Sequence, residues 1–334
     1  TGADIEVTYA DHAEHGDYAS NIAMKLAKTL KRNPIDIGHD IADRIDREGI
    51  EQVQVVAPGF LNFFVNEKFL AGGVRLILEQ GERYGENTSG QGKQYLVEFL
   101  SANPTGPIHL GNGRAGFTGD VLVRVLRACG YDVIAEYIIN DYGKQLDTLA
   151  ESVLRRYMQN QGVKMDYPDE LYKGEYIKEL ADRVQPTGPV TELHDEIKEW
   201  ALKEIVKQIQ DFVESTLHIH YDVWQSERSL YDPKKVEAAK QWLKEHDLIY
   251  ELDGATWFAS TKFGDDKDRV IIKGNGENTY FFSDILYLID KFEVRKIDHW
   301  IWYLGADHHG YEGRMRAALS ALGHAGKLDI IFVQ

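Results

Sequence analysis

The stretch Tyr95-Leu96-Val97-Glu98-Phe99-Leu100, continued by Ser101-Ala102-Asn103-Pro104-Thr105-Gly106-Pro107-Ile108-His109-Leu110-Gly111-Asn112-Gly113, decides how this chain is read. Its apolar opening predicts a strand over 95–100, and Pro104 and Pro107 stiffen the loop over 101–110. A helix is expected from about 113 to 129, closed by Gly130, then an apolar strand over 133–139. These make one βαβ unit. A second is expected near the end: strand 300–304, the loop Gly305-Ala306-Asp307-His308-His309-Gly310, helix 311–322 and strand 328–333. Two such halves give an α/β fold, a doubly wound parallel (Rossmann-like) sheet.

Between the halves, 146–160, 192–216 and 235–246 read as helices, a helical insertion over about 146–246. One hairpin is expected from 249–252 and 256–259 around Asp253-Gly254, and a second from 269–273 and 279–282, with a helix starting at Asp284. Residues 1–85 read as a small α+β unit: helix 18–30, stopped by Asn33-Pro34, helix 35–48, and strands 53–56 and 60–65 around Pro58-Gly59. The Gly-, Glu-, Asn- and Ser-rich segment 81–92 marks the boundary to a second domain over 93–334.

The chain has 334 residues, with 54 acidic against 38 basic side chains and a net charge of −16. Cys129 is the one cysteine, which excludes an intrachain disulfide and a cysteine zinc cluster. No apolar run approaches a membrane span and no signal-peptide pattern opens the chain, so a cytoplasmic protein without membrane contact is expected. The acidity argues against a nucleic-acid partner. Even residues 1–85 carry 14 acidic and 9 basic groups, but Lys25, Lys28 and Arg32 are expected together on one helix face. They form a local basic patch or a solvated surface.

The loop after 100 has two readings. Gly111-Asn112-Gly113-Arg114-Ala115-Gly116 matches G-x-G-x-x-G, with Glu136 twenty residues after Gly116, the spacing of a dinucleotide fingerprint and hence of an oxidoreductase. In that fingerprint the glycines directly follow the strand, whereas here ten residues intervene and Glu136 is expected mid-strand. In the second reading the loop is itself the site. His109 and Asn112 stand at a helix N-terminus, which favours an anion, and His109 can donate to phosphoryl oxygens. The bland counterpart is that His109 only caps the helix.

Other residues have paired readings too. Glu98, in an apolar strand, needs a cation, which an internal Lys or Arg supplies as well as a ligand does. Tyr280 and Asp284 line up on one helical turn only if the helix already starts at Tyr280; otherwise Tyr280 is strand core and Asp284 a cap. Asp307-His308-His309 lacks a third ligand nearby, so no metal site is expected.

His109-Leu110-Gly111-Asn112 resembles the HIGH signature of class I aminoacyl-tRNA synthetases, and the longer block from Val97 to Pro107 resembles the arginyl-tRNA synthetases among them. Three further segments agree: Glu14-His15-Gly16-Asp17-Tyr18-Ala19-Ser20-Asn21, Asp141-Tyr142-Gly143-Lys144-Gln145 and Thr279-Tyr280-Phe281-Phe282-Ser283-Asp284. The resemblance covers essentially the whole chain. It implies a ligase that activates L-arginine with ATP to arginyl-adenylate and transfers it to the 3′ end of tRNA(Arg). It also implies a cytoplasmic monomer, with Mg2+ arriving on ATP. By the match, His109 and Asn112 contact ATP phosphates and stabilise the transition state, with Pro107, Gly111 and Gly305 also at the ATP site. Glu98 and Asp284 face the guanidinium, Tyr280 shapes that pocket, and Ser101 and Asn103 hold the polar end of the amino acid. His308 falls where many relatives carry a glutamine that contacts the amino acid. Residues 1–85 resemble the added domain that contacts the tRNA elbow, with Lys25, Lys28 and Arg32 as phosphate contacts.

Three features depart from the pattern. Asn112 stands in place of the last histidine of HIGH, no KMSKS-like segment is found, and neither is the helical anticodon-binding domain. The chain opens at Thr1 and stops at Gln334 straight after a strand, so a fragment that binds arginine weakly and activates it poorly is expected. A non-catalytic tRNA- or arginine-binding module is the remaining alternative.

Overall fold

In the computed structural model, which describes residues 5–189 and 192–333, the chain divides into Thr1–Glu86 and Asn87–Gln334. The first unit contains β1 (Thr8–Tyr9), β2 (Tyr18–Ser20), α1 (Ile22–Leu30), α2 (Pro34–Arg44), β3 (Ile50–Val56), β4 (Phe60–Val65) and α3 (Glu67–Gln80). Its strands form an antiparallel sheet in the order β1-β2-β4-β3. Ile22, Ala23, Ile37 and Leu61 form its core. Residues 18–20 were expected to begin a helix, but they pair with Leu61–Phe63 of β4, and helix α1 starts only at Ile22. Asn33 and Pro34 stop α1 and also start α2: Asn33 Oδ1 accepts from the Ile35 N–H at 2.9 Å, with Pro34 at the first helical position.

The second unit contains β5 (Gln94–Glu98), α4 (Leu110–Ala128), β6 (Asp132–Ile139), α5 (Lys144–Asn160), α6 (Glu175–Arg183), α7 (Leu193–Ser215), β7 (Val223–Ser226) and α8 (Pro233–Glu245). It continues with β8 (Ile249–Leu252), β9 (Ala255–Phe258), β10 (Arg269–Ile272), α9 (Tyr280–Leu288), β11 (His299–Gly305), α10 (Glu312–Ala321) and β12 (Leu328–Val333). Five parallel strands form its main sheet in the order β12-β11-β5-β6-β7. Numbered within the sheet this is 3-2-1-4-5, the Rossmann order, and its direction reverses between β5 and β11. Both faces are covered. Leu96 and Trp300 join one core with Phe282, Leu286 and Met315, while Val97, Ala135 and Tyr303 join another with Leu149, Ile197 and Ile205. Strands buried on both faces read as near-continuous apolar runs, which is why these could be read from the sequence.

Two expectations fail. The segment 146–246 is not all helical, because it contains β7, the edge strand of the main sheet. Its four residues are all half-buried, too short a run to show a strand period. The second hairpin is reduced to a tight turn with one isolated antiparallel bridge, Ile272–Asn278, while β10 pairs with β9 to give a three-stranded antiparallel sheet β10-β9-β8. Residues 280–282 open helix α9 instead, because Phe281, Phe282, Ile285 and Leu286 are buried together at helical spacing. The first hairpin forms as expected, with Asp253 and Gly254 both at positive φ, 52° and 74°. No helix among the described residues is long and apolar enough to cross a membrane.

Candidate active site

In a parallel sheet of this order, ligands bind beyond the carboxyl ends of the strands where the order reverses. A cavity of about 560 Å³ lies there, between the ends of β5 and β11. Its lining includes Glu98, Ser101, Asn103, Asn112, Tyr280, Asp284 and Gly305.

Strand β5 stops at Glu98, two residues earlier than expected, because Leu100 and Ser101 adopt φ of 68° and 40°. Left-handed backbone in consecutive non-glycine residues persists only where its surroundings hold it. Here four side chains do so. Tyr221 donates to Phe99 O (3.1 Å), Tyr137 to Ala102 O (3.0 Å) and Tyr176 to Thr105 O (2.7 Å). Asn140 Nδ2 donates to Asn103 Oδ1 at 2.9 Å. Ser101 Oγ accepts from the Ile138 N–H at 3.0 Å, so its hydroxyl is already engaged with β6.

Helix α4 begins at Leu110, three residues before the expected start. His109 is its N-cap, and Asn112 Oδ1 accepts from the His109 N–H at 3.2 Å. The His109 ring folds over Gly111, where a Cβ would lie 3.1 Å from Cε1 and Nδ1. Further along α4, a Cβ on Gly119 would lie 2.3 Å from the Phe99 ring, so this glycine lets the helix seat against the end of β5. Asn112 lines the cavity, whereas Pro107, His109 and Gly111 lie outside its lining.

Helix α9 does start at Tyr280, so Tyr280 and Asp284 stand one turn apart and both face the cavity. Tyr280 is 84% exposed, not a strand core residue. Burial pushes the Asp284 carboxyl up to about 7, against the pull of Arg314, whose guanidinium is 3.6 Å away.

Glu98 does find an internal cation: Lys291 Nζ is 3.3 Å from its Oε2. Burial drives the Glu98 carboxyl upward, with Lys291 opposing and Glu136 adding to the rise. Glu136 is wholly buried mid-strand and held by Lys291 and Arg295, which removes it as a ribose ligand and with it the dinucleotide reading.

Sequence reasoning missed Glu227, a third carboxylate in the cavity lining. Burial pushes it up to about 7, and Asp141 adds to the rise. Among the described residues no cation pairs with it. It follows directly after β7, at the carboxyl end of a parallel strand. That signal was lost when 146–246 was read as helical.

His308 lies in the helical turn Ala306–Tyr311, and its side chain, like those of Asp307 and His309, falls outside the described residues. Among the described residues no group of three or more His, Cys, Asp or Glu is arranged to hold a metal ion. Lys25 and Lys28 are on α1, but Arg32 lies beyond its end because Lys31 turns left-handed there. Lys25 pairs with Glu6 at 3.0 Å and Arg32 with Asp40 at 2.8 Å, so the expected basic face is partly neutralised.

Residues 73–329 match the family profile of the class I tRNA synthetase (R) catalytic domain, and residues 1–65 that of the arginyl-tRNA synthetase N-terminal domain. The chain belongs to the arginyl-tRNA synthetase family. It is 42% identical over 330 residues to the arginine–tRNA ligase of Bacillus velezensis, covering 96% of this chain and 59% of the relative. It is 44% identical over 323 residues to that of Anoxybacillus flavithermus, covering 93% and 57%. The chain therefore spans less than two thirds of the length of these relatives. The solved arginyl-tRNA synthetase of Thermus thermophilus shares its fold, with a TM-score of 0.73 over 99% of this chain and 62% of that one, at 21% identity.

Proposed function

We infer that this chain carries the amino-acid- and ATP-binding half of an arginine–tRNA ligase, acting as a cytoplasmic monomer on tRNA(Arg). One observation carries the reading: Glu98, Glu227 and Asp284 converge on one cavity at the point where the strand order reverses. Glu98 and Asp284 have Lys291 and Arg314 beside them, but Glu227 has no cation among the described residues, so carboxylates outnumber cations there, and a guanidinium offers five donors in a planar fork. Tyr280 closes over the side chain, and Ser101 and Asn103 meet the polar end of the amino acid. The match in sequence sets His308 beside them.

ATP takes the side of the cavity at the start of α4, with Asn112 and Gly305 from the lining and Pro107, His109 and Gly111 contributed by the loop and helix start outside it. Mg2+ arrives on the ATP phosphates and offsets their charge. The arginine carboxylate attacks the α-phosphorus, the bond to the bridging oxygen breaks, and pyrophosphate leaves. His109 and Asn112 donate to phosphoryl oxygens as charge moves onto them. A terminal ribose hydroxyl of tRNA then attacks the adenylate carbonyl, and AMP leaves. The first unit, with Lys25, Lys28 and Arg32, meets the tRNA backbone.

A thermal-shift series with arginine, ATP and NAD tests the reading. Stabilisation by arginine and by ATP is expected, and stabilisation by NAD alone overturns it. Formation of arginine hydroxamate with added tRNA separates a ligase from a binding module.

A further inference from the structure

Glu98 and Glu136 are register partners on adjacent parallel strands, 4% and 0% exposed. Like charges directly opposite each other destabilise a sheet, and a buried carboxylate without a cation is expensive. Lys291 resolves both problems. It is 1% exposed and sits in the π-helical turn Ile289–Val294 that prolongs α9. Such turns gather at functional sites.

Lys291 is shared unequally. Its Nζ is 2.6 Å from Glu136 Oε1 and 3.3 Å from Glu98 Oε2. Arg295 closes on the other oxygen of Glu136, with Asp290 behind it at 3.6 Å. Glu136 thus holds two cations and is kept below the usual carboxylate range although its burial works the other way. Glu98 has only part of one cation, and its buried Oε2 makes no hydrogen bond. Of these five groups, Glu98 alone lines the cavity.

We propose that Lys291 is a positioning residue: shared unequally between Glu136 and Glu98, it holds the Glu98 carboxyl at the cavity wall while leaving its charge incompletely balanced, so that the arginine guanidinium completes the pair. The arginine part of this rests on the functional reading above; the coupling of Lys291 to Glu98 does not. Lys291 is too buried to touch the amino acid itself. The charged and titratable groups around Glu98 are Glu136 on β6 and Lys291 and Tyr287 on α9 and its extension, with the Trp302 indole beside it on β11; Arg295 and Asp290 stand behind Glu136, and Asp284 and Glu227 share the cavity lining. Loss of Lys291 therefore raises the titration midpoint of Glu98, and loss of the Glu136 charge lowers it.

The test uses the whole chain with 13C-carboxyl-labelled glutamate. The Glu98 signal is assigned by its loss in Glu98→Gln and titrated without amino acid. Lys291→Met should move the midpoint up, and Glu136→Gln should move it down, opposite displacements that a merely structural role does not produce. Each unit of upward shift should weaken arginine binding about tenfold below the midpoint, recovering as pH rises, while the ATP-induced thermal shift stays. An unchanged midpoint overturns the proposal, and Glu136→Gln alone decides it if Lys291→Met does not fold. If the midpoints move but calorimetry finds no arginine binding to the unmodified chain, the coupling of Lys291 to Glu98 is upheld and arginine is removed as the ligand.

Discussion

Asp141 Oδ2 accepts a hydrogen bond from Ser226 Oγ at 2.6 Å. Its other oxygen accepts from the Arg228 N–H at 2.8 Å, so one carboxylate brackets Glu227 from both sides and ties the end of β6 to the end of β7. The Glu227 N–H completes the tie by donating to Ile139 O at 3.0 Å. Asp141→Ala should loosen Glu227 and weaken arginine binding by about 0.5–1.5 kcal/mol, the net worth of a typical hydrogen bond. Calorimetry with arginine and with ATP checks this. Equal losses for both ligands would mean that the whole site, not Glu227, depends on the bracket.

On the proposed reading, Glu227→Gln and Asp284→Asn each remove one charge-assisted partner of the guanidinium while keeping the side chain's shape. Each should cost about 1.5–3 kcal/mol of arginine affinity, roughly 10- to 100-fold. The measurement is the arginine dissociation constant of each variant. Wild-type affinity in Glu227→Gln would remove that residue from the ligand shell.

Asp284 and Glu227 are both pushed up to about 7 by burial. A carboxyl raised in the folded state binds its proton more tightly there than in the unfolded chain. These two groups thus favour folding at low pH, a contribution that fades from about pH 4 and is lost as pH rises through about 7. A guanidinium prefers the ionised forms, so arginine affinity should climb as pH rises through about 7 and flatten above it, with protons released on binding. Calorimetry in buffers of different ionisation enthalpy reads both effects. An affinity flat between about pH 6 and 8 would show that these carboxyls are ionised before arginine arrives.

Gly119→Ala would bring a Cβ to 2.3 Å from the buried Phe99 ring and push on the left-handed turn at Leu100 and Ser101. It should cost about 1–3 kcal/mol of stability, the usual cost of overpacking. Gly113→Ala is the control in the same helix: nothing lies within 4 Å of its Cβ, and alanine gains up to about 1 kcal/mol of helix propensity. Thermal melts of the two variants should therefore shift in opposite directions.

Replacing Lys25, Lys28 and Arg32 together by glutamine should flatten the salt dependence of tRNA binding. The ion pairs to Glu6 and Asp40 are exposed and weak, so the basic groups can still be drawn to phosphate. Titrations at several salt concentrations give the slope. A slope equal to the wild type would leave these residues as solvated surface.

The sequence by itself determined four of the five strands of the main sheet and the loop that follows its first strand. Strands buried on both faces appear as the apolar runs 94–98, 132–139, 299–305 and 328–333, and the glycines and prolines after Glu98 mark a loop and a helix start. It set Tyr280 in a strand and began the helix at Asp284, so the one-turn alignment of the two side chains was left as an alternative that α9, starting at Tyr280, realises. It did not reveal β7 or Glu227, because four half-buried residues carry no period. Nor did it reveal that Phe281 and Phe282 belong to a helix, since aromatic residues suit a strand equally until their neighbours are known. The partner of Glu98 was beyond its reach altogether. Lys291 is nearly two hundred residues away in sequence and comes within 3.3 Å only because a π-helical turn lies over the register pair Glu98–Glu136. Local propensity and hydrophobic pattern act over a few residues and are written in the chain. Which cation meets which buried carboxylate is set by how strands and helices stack, and only the tertiary structure decides it.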